Sequence, residues 1–170
     1  QGISVSALQL VSAISAIAND GLLMKPLLVK KIVSSTGKTL EVFKPTPIRQ
    51  VVSVKTAREV SLMMSKVVEE EGTGTKAAIE GYTVCGKTGT AQKALKNSRG
   101  YSKDKYISVF TGFAPLLNPE LAILVVVDEP RKKYSGGDVA APAFKTIMAE
   151  AFNYLSIPPE PTQSMVAKID

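Results

Sequence analysis

Gly81-Tyr82-Thr83-Val84-Cys85-Gly86-Lys87-Thr88-Gly89-Thr90-Ala91-Gln92 gathers glycines, hydroxyls and a lysine into one short stretch. Two chemistries fit it, and they make opposite demands on the flanking sequence. As a loop, Gly81-x-x-x-x-Gly86-Lys87-Thr88 satisfies the phosphate-binding pattern, in which amides cradle phosphates, the lysine neutralises them and the threonine holds magnesium. As an active-site strand, Tyr82 to Gln92 displays Lys87 and the hydroxyls along an extended edge. A phosphate loop must follow a strand and open a helix, because the helix N-terminus completes the anion site. Here Thr75 to Glu80 makes a poor strand, Gly89 is a poor first-turn residue, and Tyr82-Thr83-Val84-Cys85 is β-prone and lacks glycine. The stretch reads as a strand. A P-loop NTPase stays as the alternative, because Ile123 to Val127 followed by Asp128-Glu129 has the form of its second, acid-ended strand.

Outward from that strand, helices and strands mix. Ser6-Ala7-Leu8-Gln9 is a capping box; Leu10, Ile14, Ile17 and Ala18 recur at helical spacing, and Asn19-Asp20-Gly21 ends the helix. Pro26 to Val33 and Thr39 to Phe43 read as a hairpin around Ser34–Lys38. Within that turn Ser35-Thr36-Gly37-Lys38 matches S-x-x-K, a serine acyl-enzyme signature. A glycine-containing hairpin turn cannot set Ser and Lys on one helix face, so the match is rejected. Pro45 and Pro47 mark a loop, and Ser53 caps a second helix with Val60, Met63, Met64 and Val67 as its apolar stripe. Beyond the central strand come a basic segment, Lys93 to Lys105, and a strand, Tyr106 to Ala114. The apolar run Leu121 to Val127 reads as a strand buried on both faces and antiparallel to it. Asp138 is placed to cap the last helix, whose stripe is Phe144, Ile147, Met148, Ala151 and Leu155. The expected fold is α/β (α+β), an antiparallel sheet flanked by helices over residues 1–156, with a Pro-rich tail over 157–170 that carries Pro158, Pro159 and Pro161.

The composition narrows the chemistry. At 170 residues and 45% hydrophobic, the chain suits one globular domain. The absence of His removes imidazole as base or ligand, and the single Cys85 excludes an internal disulfide and a Cys-rich zinc site. No cofactor and no metal are expected. No apolar run approaches the ~20 residues of a membrane span. The first residue is Gln1, not Met, so an upstream anchor on a longer protein is an open expectation. The net charge of +6 admits a non-catalytic module binding anionic cell-wall polymer through Lys93–Lys105 and Arg131–Lys133, although solvated loops account for the same charge. Tyr101 and Tyr106 among these lysines fit no nucleic-acid module, so no nucleic-acid partner is expected.

Lys87-Thr88-Gly89 is also the K-T-G element of serine acyl-transfer enzymes. It stands in a longer series: Gln1 to Leu10, Ala18-Asn19-Asp20-Gly21, Glu71-Gly72-Thr73-Gly74, Gly86 to Lys93, Phe110 to Pro115, and Gly136 to Phe144. In order and spacing this series resembles class B penicillin-binding proteins, the monofunctional peptidoglycan D,D-transpeptidases of cell division and elongation. The resemblance runs to about residue 155. It implies the penicillin-binding/serine β-lactamase-like fold and cross-linking of D-Ala-D-Ala stem peptides through a serine acyl-enzyme that β-lactam antibiotics also form. It implies that Lys87 supplies charge and supports proton transfer. The hydroxyls of Thr88 and Thr90 would bind the substrate carboxylate, the Thr90 N–H would serve the oxyanion hole, and Gly89 would let the substrate lie against the strand. Strict alternation puts Lys87 and Gly89 on one face and Thr88 and Thr90 on the other, so one site can use both only at a twisted strand edge. The family's helical S-x-x-K and its S-x-N do not occur in these residues. The expectation is therefore the C-terminal part of a transpeptidase domain, inactive alone, needing its N-terminal part as partner. It would be anchored in a bacterial cell membrane, facing outward, alongside division or elongation proteins.

Overall fold

The computed structural model describes residues 2–95 and 99–160. Helix α1, Ala7–Ala18, starts at the Ser6 capping box, with Ser6 and Gln9 each bonded to the other's backbone N–H. It stops where Asp20 and Gly21 take positive φ. A methyl on Gly21 would lie 2.3 Å from the Val52 carbonyl, so glycine is required there by both conformation and space. Strand β1, Leu22–Met24, pairs antiparallel with β4, Pro47–Gln50, and between them projects a hairpin of β2, Lys31–Val33, and β3, Thr39–Val42. Pro47 thus opens a strand instead of sitting in a loop. A proline at the first position of an edge strand removes no necessary ladder bond.

Helix α2, Val54–Lys66, is capped by the Ser53 hydroxyl on the Thr56 N–H. A 3-10 turn, Thr75–Ala77, leads into the main sheet. That sheet has the order β5-β6-β7, with β5 at Cys85–Ala94, β6 at Tyr101–Ala114 and β7 at Leu121–Asp128, all antiparallel. β6 begins earlier than its apolar alternation suggests, so the basic segment supplies one arm of a long hairpin; Lys96 lies outside the described residues. A short helix α3, Gly136–Val139, precedes α4, Ala141–Leu155. Asp138 lies inside α3 and caps nothing on α4, which begins from Ala140 with no side-chain cap.

One core lies between the sheet and α4, where Phe110, Phe144, Met148 and Phe152 are fully buried or nearly so. The Phe110 and Phe144 rings meet edge to face at 4.8 Å. The opposite sheet face sets Cys85 and Phe113 against Met64 of α2 and Ile14 and Ile17 of α1. β7 is covered by α1 on one face and α4 on the other, as its continuous apolar run demands, yet its side chains are half-buried or exposed, because among the described residues one edge has no neighbouring strand. After α4, Ile157 to Glu160 turns back onto the start of the central strand. Tyr82 Oη donates to the Ile157 carbonyl at 2.7 Å, and the Glu160 N–H donates to the Gly81 carbonyl at 2.8 Å. The described part of the Pro-rich tail is therefore packed; Pro161 and the rest lie outside the described residues.

Candidate functional site

The central stretch enters β5 at Cys85 and stays extended to Ala94. A 3-10 turn, not a strand, comes before Gly81, and a strand, not a helix, follows Thr88. The geometry of a phosphate loop is absent, and the nucleotide reading falls with it. The acids of the rival motif are otherwise engaged: Lys93 Nζ lies 2.8 Å from Asp128 and 2.9 Å from Glu129. Those bonds hold the Lys93 ammonium above its ordinary pKa, through Asp128 first, and the Glu129 carboxyl below its own, through Lys93 first. Lys105 at 3.4 Å adds to the pull on Glu129.

Among the described residues, β5 has β6 on one side and no strand on the other. Lys87 Nζ donates to the Thr88 carbonyl at 3.0 Å and to Thr88 Oγ1 at 3.3 Å. That carbonyl therefore points out of the ladder, and since backbone groups alternate sides along a strand, the Thr90 N–H and C=O share the same open edge. Side chains of opposite parity thus converge: Lys87 starts from the α2 face and reaches across the edge to the hydroxyl of Thr88. The alternation problem is solved by the lysine's length.

Thr88 Oγ1 also lies 3.0 Å from Thr73 Oγ1. With Lys87 donating to it, the Thr88 hydroxyl keeps its own proton for Thr73 or for an anion. Thr90 Oγ1 accepts from the Gly136 N–H at 3.1 Å, which likewise leaves its proton to donate. Gly136 and Gly137 bring α3 down onto the strand: a methyl on Gly136 would sit 2.2 Å from the Val109 carbonyl and 2.5 Å from that of Gly89. Asp138 ties this helix down through ion pairs to Lys76, on the 3-10 turn, and to Lys133 at 3.6 Å. The Lys76 bond is the first cause holding its carboxyl below the usual range. Gly89 differs from its neighbours, since a methyl there would meet only Val109 Cβ at 3.5 Å, an ordinary contact.

The lysines around the site divide sharply. Lys76, Lys93, Lys105 and Lys133 all pair with carboxylates. Lys87 is exposed and, among the described residues, touches only oxygens of Thr88, with no carboxylate partner. The site thus presents an ammonium, two hydroxyls with protons to give and an outward amide along one open edge. Nothing in it resembles a metal site: among the described residues no group of three Cys, Asp or Glu side chains could hold an ion. Cys85 is wholly buried, its thiol pushed up to about 12 by burial first and by Glu160 second, which leaves it no nucleophile. Ser102 to Lys105 makes a second literal S-x-x-K, but it lies on β6 with Ser102 Oγ donating to Asp104, so it too lacks the helical geometry.

Sequence reasoning singled out Lys87, Thr88, Gly89 and Thr90, and the structure places all of them on this edge. It gave no role to Thr73 or Gly136, and read Asp138 only as a helix cap. The density of glycine at Gly72-Thr73-Gly74 and Gly136-Gly137 was the available signal, because closely spaced glycines mark backbone approach.

A model of the penicillin binding protein transpeptidase domain matches residues 1–149. The chain belongs to this transpeptidase family. It is 42% identical over 159 residues to the probable peptidoglycan D,D-transpeptidase PenA of Neisseria meningitidis serogroup A, covering 93% of this chain and 25% of that protein. It is 40% identical to stage V sporulation protein D of Bacillus subtilis, over 96% of this chain and 25% of the relative. Penicillin binding protein 3 of Mycobacterium tuberculosis, solved in complex with ampicillin, superposes with a TM-score of 0.85 at 35% identity, over 96% of this chain and 38% of that one. The chain thus spans about a quarter of the curated relatives' length. Among its described residues no helix is long and apolar enough to cross a membrane.

Proposed function

We propose that this chain supplies the substrate-carboxylate clamp and half of the oxyanion hole of a bacterial peptidoglycan D,D-transpeptidase. The observation that carries the reading is Lys87, the site lysine that no described carboxylate neutralises, set on an open strand edge beside two proton-bearing hydroxyls. In this reading a stem peptide ending in D-Ala-D-Ala lies along β5. Its terminal carboxylate meets Lys87, Thr88 and Thr90, a charge-assisted arrangement of the stronger kind. Gly89 gives it room to approach. The scissile carbonyl oxygen lodges on the Thr90 N–H, a contact made fully only as negative charge develops.

The serine that attacks that carbonyl, expelling D-alanine and forming the acyl-enzyme, would come from a helical S-x-x-K in sequence preceding residue 1. An S-x-N element from the same part would face Lys87, which supports proton transfer, and an amine of a second stem peptide would then resolve the ester. β-Lactams would acylate the same serine. This reading puts the protein on the outer side of a bacterial cytoplasmic membrane, working with division or elongation proteins. The test is labelling with a fluorescent penicillin. Residues 1–170 alone should take up no stable label, and the same residues joined to their preceding sequence should take up one equivalent. Stable labelling of the isolated chain, or none of the longer one, would overturn the proposal.

A further inference from the structure

The β2–β3 hairpin does not fit its surroundings. All its strand residues are exposed, and among the described residues no helix packs closely against it. Ile32, Val33, Leu40 and Val42 stand between 43% and 62% exposed on it, and Leu28, just before it, is 98% exposed. The ribbon pairs antiparallel, with one register shift between Ile32 and Val33 where β3 carries an extra residue, Leu40. Lys31 opposes Val42 and Ile32 opposes Glu41; the Phe43 N–H reaches the Lys30 carbonyl at 2.9 Å, and a Ser34–Lys38 turn closes the tip. An isolated two-stranded ribbon is marginal in water, because it buries too little apolar surface. A ribbon carrying aliphatics on both faces gains most from a third strand.

Its charge selects which strand. Lys25, Lys30, Lys31, Lys38 and Lys44 stand against Glu41 alone, a large share of the chain's net +6. Among the described residues none of these lysines forms an ion pair. Glu41 sits on β3 between Lys38 and Lys44, so an acid docking there meets a like charge, whereas the β2 edge offers Lys30 and Lys31 and no acid. Along β2, Lys31 and Val33 share one face and Lys30 and Ile32 the other. Each face therefore offers one ammonium and one aliphatic to a neighbour. Lysines on an open edge deter pairing with a second copy; the same lysines favour a partner of opposite sign. The polar tip, Ser34-Ser35-Thr36-Gly37, has nothing to insert into lipid, so a membrane surface fits less well than a peptide strand.

We infer that the outer edge of β2 docks an extended acidic–aliphatic segment of another protein as a third strand, with its acids opposite Lys30 and Lys31 and its aliphatics opposite Ile32 and Val33. This is β-strand addition, in which main-chain bonds supply affinity and side chains supply selection.

The probe is a dye-labelled, acetylated peptide Thr-Val-Ile-Glu-Glu-Val-Thr, titrated by fluorescence anisotropy into the complete transpeptidase domain. Controls are the same peptide with alternate amides N-methylated, its isomer with Lys for Glu, and phosphatidylglycerol vesicles. Saturable binding of the acidic peptide is expected, with added hydrogen-exchange protection on β2. Alternate N-methylation, K30E and K31E should each weaken it at least tenfold. Equal binding of the N-methylated peptide would reduce the effect to bulk charge and overturn the inference. So would no peptide binding at all, or binding to the vesicles in its place.

Discussion

A single added methyl should have opposite consequences at two neighbouring glycines. On Gly136 it would run into the carbonyls of Val109 and Gly89, both backbone atoms that cannot swing aside. Gly136→Ala should therefore lift α3 off β5 and cost about 1–3 kcal/mol, read as a lowered urea midpoint. On Gly89 the methyl meets one side chain at van der Waals distance. Gly89→Ala should leave stability within about 1 kcal/mol of the parent, yet slow acylation of the complete transpeptidase domain by penicillin, because the methyl projects where substrate would lie. Cys85 gives a separate check. With its thiol pushed up to about 12, the thiolate is about 10⁻⁴ of the population at pH 8. A thiol reagent should label it only as fast as the protein opens, and immediate stoichiometric labelling would contradict the packing around Phe113 and Met64.

At the scale of elements, the site depends on α3 staying down, and Asp138 is its staple. Its folded pKa lies below the unfolded value, chiefly through Lys76. The unfolded state then binds more protons in the window between the two values, so stability rises with pH there. The contribution is complete above about pH 4, the unfolded carboxyl value, and is lost as pH falls through the depressed one. Thermal melts from neutral pH down to acid should show a steeper acid loss for the parent than for D138N, which has no such proton to take up. Identical acid limbs would remove the staple.

The strand character of β5 was legible because β-prone residues filled the would-be loop, and both N-caps were legible because Ser6 and Ser53 are local signals. Tertiary context decided what was not. Met63 belongs to the apolar stripe of α2 by spacing but is 69% exposed, while Ser61 and Ser65 take buried positions and satisfy their hydroxyls on backbone carbonyls. Asp138 has the composition of a cap, but its partners lie far along the chain at Lys76 and nearby at Lys133, and no local pattern encodes the distant one. The edge-crossing of Lys87 was equally hidden, since alternation describes Cβ directions and not the reach of a long side chain.

For the whole molecule, two open edges behave differently. The β2 edge carries lysines, whereas β7, from Leu121 to Val127, carries no charge to deter pairing. Residues 1–170 in isolation should associate through β7 in a dilution-dependent way on size exclusion, and joining the preceding sequence should restore a monomer. A dilution-stable monomer of the isolated residues would count against an edge that needs a strand.

The central claim, that the open edge of β5 grips a substrate carboxylate, is tested most directly by comparing acylation of the complete transpeptidase domain by a penicillin and by its methyl ester. The parent should favour the free acid by about 100-fold or more, the order of effect seen when a preorganised contact to charge is lost. In K87A and T88V that preference should shrink to a few-fold, whatever happens to either rate alone. An unchanged acid-to-ester ratio in both variants would show that Lys87 and Thr88 do not hold the carboxylate.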